Sequence, residues 1–149
     1  LFINQVHVGQ IYSCYFSGTR TGEFNTAHYV LLLRKGFDRQ TVTIVPLTSS
    51  DRGLNESCCD IGVYPDLNTD GTTQISYAVF SHIQTVSVTR LTLPKGKVIT
   101  VTSDILETIV KHTILYLIDK LPTTSIDNIA TEITKKNHPE NIQDAQNSA

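Results

Sequence analysis

A histidine, a threonine, two serines and two arginines fall around one rim of this chain if a single hairpin forms, and these are residue types that can cut a phosphate ester. The stretch 28–50, HYVLLLRKGFDRQTVTIVPLTSS, reads as two strands and a short connection. HYVLLL is aromatic and leucine-rich, TVTIV alternates with period two, and KGFDRQ supplies Gly36 and Asp38 as turn residues. Antiparallel pairing sets positions whose numbers sum to about 75 or 76 opposite one another, and an even sum makes His28 and Thr48 cross-strand neighbours on one face, Cβ atoms about 5 Å apart. Arg20, Ser49, Ser50 and Arg52 then crowd the same rim.

An imidazole takes or gives a proton near neutral pH, while a hydroxyl and a guanidinium hold a phosphate and stabilise charge developing on it. These parts suit scission of RNA by its own 2′-hydroxyl. One group removes the hydroxyl proton, another protonates the leaving 5′-oxygen, fixed donors support the phosphorane, and no metal is needed. The plainer alternative is that His28 opens one strand and Thr48 closes the other.

Other stretches must build the sheet that holds this rim. Residues 9–16 (GQIYSCYF) are predicted as a first strand covered on both sides, with Ile11, Ser13 and Tyr15 on one face and Tyr12, Cys14 and Phe16 on the other. Residues 17–27 form a polar loop, carrying Arg20, that feeds into His28. Strands are expected over 58–64 and 74–80, with Asp70-Gly71 as the turn signal between them. Residues 81–91 are expected to continue extended, and 92–101 to give a turn at Pro94–Gly96 and a last short strand. Many short strands spaced by turns predict a small, closed or nearly closed antiparallel β structure. At Thr102 the pattern becomes helical: Ser103 reads as N-cap, Asp104 and Glu107 suit the positive end, and Ile105, Leu106, Ile109, Val110, Thr113 and Leu117 recur at helical spacing before Pro122. Residues 125–136 form a weaker helix and 137–149 a polar, flexible tail, so the expectation is one domain over 1–136 plus that tail.

With 149 residues, 40% hydrophobic, the chain suits one globular domain around one core. A formal net charge of −2 excludes coating of nucleic acid by bulk positive charge but allows a local basic rim. Cys14, Cys58 and Cys59 make an odd count without C-x-x-C, which argues against a disulfide framework or a zinc site. His7, His82, His112 and His138 share no ligand spacing, so no metal or other cofactor is expected. No phosphate-cradling glycine motif and no G-x-S-x-G is present. The most apolar segment, TILYLI, is far short of the ~20 residues of a membrane span. The first residues lack the charged and apolar regions of a signal peptide and an initiator Met, which reads as a cytoplasmic protein numbered from inside a longer or trimmed chain.

Several segments together resemble the MazF/PemK family of type II toxin ribonucleases. G-Q-I-Y at 9–12 is similar to the family's opening G-D-V/I, and G-E-F at 22–24 falls where the family often has G-S-E-Q. IVPLTSS at 44–50 looks like V-x-P-L-T-S, and SHIQTVSVTRL at 81–91 looks like D-Q-I-R-T-V-D-x-x-R-L. The strand YVLLL and the helix after Ser103 also stand where the family places theirs, and the likeness covers residues 9–120.

The resemblance implies a mainly β fold with C-terminal α: a small SH3-like antiparallel barrel of the CcdB/MazF/PemK kind plus a long C-terminal helix. It implies a homodimer, a cognate antitoxin peptide lying across an RNA groove, and metal-independent cutting of single-stranded RNA to 2′,3′-cyclic phosphate and 5′-hydroxyl ends. Thr48 matches the family's catalytic threonine. The arginine of the family's R-P aligns with His28, the proline with Tyr29, and Gln84 replaces the arginine of I-R-T. His28 would then transfer protons where the family holds a permanent charge. Arg20, Ser49, Arg52 and Gln84 would contact substrate, with Tyr12 or Tyr29 as a stacking surface. A reading from another class is an inactive CcdB-like module that inhibits a protein target or binds RNA uncut, through an apolar patch at the end of the terminal helix.

Overall fold

Strands β2 (Ala27–Lys35) and β3 (Thr41–Thr48) form the hairpin around which the other strands assemble. In this computed structural model residues 1–17, 26–49, 58–67, 74–118 and 131 are described. Val30 stands opposite Pro46, Leu31 opposite Val45 and Leu32 opposite Ile44, the even register that brings His28 level with Thr48. A bulge between Leu32 and Arg34 shifts the pairing nearer the turn. There the Asp38 carboxylate accepts hydrogen bonds from the Gln40 and Thr41 backbone N–H groups, both 3.0 Å, and from the Thr41 hydroxyl at 2.9 Å. Those bonds, Gln40's first, hold its pKa below the usual carboxylate value. A Cβ at Gly36 would run into the Thr41 hydroxyl, so this turn needs glycine for close approach.

The remaining strands are β1 (Gln10–Tyr15), β4 (Cys58–Val63), β5 (Ile75–Val79), β6 (Gln84–Ser87), β7 (Leu91–Thr92) and β8 (Ile99–Thr100). They join in one curled antiparallel sheet ordered β4-β5-β3-β2-β1-β7, with β6 also on β3 and β8 also on β1. β3 changes partner along its outer edge. Thr41 to Ile44 pair with β6, and Leu47 and Thr48 pair with β5. Pro46, which has no N–H to donate, sits at the change-over.

Alternation sends side chains into two cores. Ile11, Leu31, Val45 and Leu47 join Ile61, Leu67, Phe80 and Ile109, while Tyr12, Cys14, Val30, Leu32 and Ile44 join Val86, Val88 and Leu91. β1 is therefore covered on both sides, except at its end, where Tyr15 is 63% exposed.

Residues 81–91 do not run extended. Tight 3-10 turns at Phe80–His82 and Val88–Arg90 break the stretch. The Ser87 hydroxyl accepts from the Thr89 N–H at 3.4 Å, a local bond that competes with the ladder, so β6 goes to β3 and β7 to β1.

Helix α1 (Ser103–Leu117) begins one residue earlier than expected in its capping. Thr102, not Ser103, is the cap: its carbonyl accepts from Leu106 N–H at 3.0 Å and its hydroxyl from Ile105 N–H at 3.4 Å. Ile109 is fully buried, with Ile105, Leu106 and Tyr116 packed partly beside it. Val110 and Leu117, expected inward, are 40% and 66% exposed. At 3.6 residues per turn Tyr116 lies only about 20° from Ile109 around the axis, Leu117 about 80° and Val110 about 100°.

The chain divides into two units, Leu1–Tyr116 and Leu117–Ala149, and the sheet belongs to the first. The Asp70-Gly71 turn, the weaker helix over 125–136 apart from Thr131, and the tail over 137–149 lie outside the described residues. Cys14, Cys58 and Cys59 are free thiols, and burial, aided by the negative charge of Asp60, pushes the Cys59 thiol up to about 11. Among the described residues no helix is long and apolar enough to cross a membrane.

Candidate active site

The strand registers line up a row of reactive groups on one face. Cys14 of β1 stands opposite His28 of β2, His28 comes level with Thr48 of β3, Thr48 stands opposite Tyr77 of β5, and Tyr77 opposite Asp60 of β4. Adjacent members of such a row have Cβ atoms about 5 Å apart. Thiol, imidazole, hydroxyl, phenol and carboxylate thus follow one another across the sheet.

His28 is half-buried at the start of β2. Its Nε2 lies 3.1 Å from the Thr26 hydroxyl, and its ring is 6.1 Å from that of Phe16. Burial pushes the imidazole below its ordinary value of 6.5, so at neutral pH the ring is uncharged and can accept a proton. Burial raises the Cys14 thiol, against the opposing positive charge of Arg90, so Cys14 stays protonated. Arg90 closes the turn before β7, whose Leu91 pairs with Cys14. Its charge therefore stands at the Cys14 end of the row.

A cleft of about 410 Å³ opens at the same strand ends, lined by Ser13, Ala27, His28, Tyr29, Leu47, Thr48, Ser49, Leu67 and Ser76. Of the residues expected from sequence, His28, Tyr29, Thr48 and Ser49 meet in this cleft. Gln84 does not line it: it is exposed on β6 opposite Ile44, its side-chain amide donating to the His82 carbonyl at 3.5 Å. Tyr12 offers no stacking surface, because it is fully buried and its hydroxyl donates to Gln10 Oε1 at 2.6 Å and accepts from the His7 N–H at 2.9 Å. Arg20 and Arg52 lie outside the described residues. Among the described residues no group of His, Cys, Asp and Glu is placed to hold a metal ion.

Sequence reasoning did not name as site residues Ser13, Ala27, Leu47, Leu67 and Ser76, which also line the cleft, nor Tyr15 and Arg90 near it. The alternation of 9–16 signals that Ser13 and Tyr15 share a face, but only the pairing of Tyr15 with Ala27 shows that nothing large covers the ring. Ser76 requires the β3–β5 pairing, and Arg90 requires the turn that interrupts 81–91.

The family model for PemK-like, MazF-like toxins of type II toxin-antitoxin systems matches residues 7–136. No curated protein matches the sequence. Among solved structures, an endoribonuclease in complex with its cognate antitoxin from Mycobacterial species is 21% identical, and the alignment covers 78% of this chain and 99% of that one with a TM-score of 0.51. The Mycobacterium tuberculosis toxin MazF-mt6 is 22% identical over 73% of this chain and 95% of its own, with a TM-score of 0.47. The first of these likenesses concerns the fold: a curled antiparallel sheet with a C-terminal helix. The family match spans both the hairpin and the strands that complete the row, and the chain belongs to the PemK-like, MazF-like toxins of type II toxin-antitoxin systems.

Proposed function

We propose that this protein is a cytoplasmic toxin that cuts single-stranded RNA without a metal, leaving 2′,3′-cyclic phosphate and 5′-hydroxyl ends. The observation that carries this reading is the register bringing His28 level with Thr48 at the cleft, with the imidazole uncharged at neutral pH. His28 accepts the proton of the 2′-hydroxyl, whose oxygen attacks the adjacent phosphorus. The bond to the 5′-oxygen breaks, and that oxygen leaves with a proton from water at the open rim. Thr48 donates to a non-bridging phosphate oxygen as charge builds there. Arg90, at the Cys14 end of the row, supplies the permanent positive charge that an imidazole lacks. Arg20 and Arg52 hold flanking phosphates, Ser49 contacts the substrate at the cleft, and Tyr29 serves as its apolar wall. A cognate antitoxin peptide competes for the same groove on a homodimer.

The test is incubation of purified protein with a long single-stranded RNA in EDTA, beside His28→Ala and Thr48→Ala, with both ends of every fragment mapped. Cuts bearing 5′-hydroxyl ends that both substitutions abolish are expected. Val110, Ile114 and Leu115, exposed on α1, give a protein-binding module the apolar surface it would need. RNA left intact by the folded, antitoxin-free protein would favour that reading instead.

A further inference from the structure

We infer that the cleft beside His28 and Thr48 takes one nucleobase of the RNA, that Ser13 and Ser76 read the edge of that base, and that Tyr15 stacks on its neighbour. This rests on the ribonuclease reading and adds the source of its sequence preference.

The two faces of the strand ends carry different chemistry. His28 and Thr48 alternate with the second core, whereas Ser13, Ala27, Tyr29, Leu47 and Ser76 fall on the face of the first. A nucleotide lying across these ends can present its phosphate to the row and its base to the cleft. Apart from His28 and Thr48, the lining suits a base and not a phosphate. Among the described residues it contains no Lys, Arg, Asp or Glu; Tyr29, Leu47 and Leu67 make apolar walls, and Ser13, Ser49 and Ser76 place hydroxyls among them. A flat, uncharged ring with donors and acceptors along one edge is the ligand that such walls and a few hydroxyls recognise. Its size, about 410 Å³, falls at the small end of the ~300–1,000 Å³ of ligand pockets.

Two residues stand out. Ser76, at 7% exposure, is the buried polar side chain of the described sheet, and it faces Gly62, where β4 shifts register and the backbone turns to a φ of 95°. A Cβ at Gly62 would meet no described atom within 4 Å, and Ser76 itself lines the cleft. Tyr15 is 63% exposed because its cross-strand partner is Ala27, whose methyl cannot cover the ring. Ala27 itself lines the cleft, and Ser13 lies two residues along the same face, roughly 6.6 Å away. A rigid aromatic left bare beside a base-sized cleft is a stacking platform.

The experiment maps cut sites in a random single-stranded RNA pool for the wild type and for Ser13→Ala, Ser76→Ala, Tyr15→Ala and Tyr15→Phe, and measures binding of a 2′-O-methyl RNA that cannot be cut. Either serine substitution should relax the preference at one and the same base position. Tyr15→Ala should weaken binding roughly 5- to 150-fold through KM, with kcat and preference kept, and Tyr15→Phe should restore it, since stacking needs the ring and not the hydroxyl. Wild-type cut sites in both serine variants, or full affinity in Tyr15→Ala, would overturn the inference while leaving the ribonuclease reading standing. Ser13 is only partly buried, so its variant remains informative if Ser76→Ala fails to fold. A wild type that neither cuts nor binds RNA would overturn both.

Discussion

His28 titrates where an arginine would not, and that makes the site sensitive to pH. With the folded imidazole below 6.5, kcat/KM should be flat through neutral pH and fall about tenfold per unit on the acid side of that depressed value. His28→Arg should lose that acid limb along with most of the rate, because guanidinium does not give up its proton near neutrality. His28→Ala should cost roughly 10²- to 10⁴-fold. Stability carries the same signature. The unfolded imidazole binds its proton near 6.5 and the folded one only at lower pH, so between the two the unfolded chain holds more protons. Stability therefore rises with pH through that window and drops on acidification, and His28→Gln should flatten this part of the urea-midpoint profile. The even register of the hairpin, which sets His28 level with Thr48, was legible in the sequence because it depends only on strand period and the parity of the turn. The depressed pKa of the imidazole was not, since it comes from burial that only the assembled sheet provides.

Elements show the same division between what period dictates and what competition decides. The hairpin was readable because two alternating runs flank a glycine and an aspartate that can close a turn. Gly36→Ala tests that turn: the added methyl must displace the Thr41 hydroxyl, and a loss of roughly 1–3 kcal/mol in urea unfolding is expected. Residues 81–91 were misread as extended throughout because their β-branched residues satisfy the period while the Ser87 hydroxyl, invisible to it, nucleates a turn. Helix capping was misplaced by one residue, as Thr102 and Ser103 are both capping types and sequence alone does not choose between them. Thr102→Ala should cost about 1 kcal/mol, whereas Ser103→Ala, inside the first turn, should be close to neutral.

At the scale of the molecule, net charge decides how RNA can be held. The order of short strands, the P-L-T-S segment and the terminal helix made the barrel and the family readable from sequence. The sharing of β3 between β5 and β6, whose β5 part brings Ser76 to the cleft, was not readable, because it joins segments far apart in the chain through a partner change at Pro46. A chain of net charge −2 offers RNA no broad positive field, so affinity must come from a few local cations together with uncharged base contacts. If Arg90, Arg20 and Arg52 are the phosphate contacts, log K for a single strand should fall with log salt at a slope of about −2, since each contact contributes about −0.7. Raising salt from about 50 to 200 mM should then weaken binding roughly 10- to 20-fold, far less than for proteins that coat nucleic acid. Arg90→Ala should bring the slope closer to zero by about 0.7, while Tyr15→Ala should lower affinity at every salt concentration and leave the slope alone. Titration of uncleavable RNA across that salt range separates the two contributions. A slope steeper than about −4 would mean that phosphates are held over a wide basic surface, and the local account of recognition at the strand ends would fail.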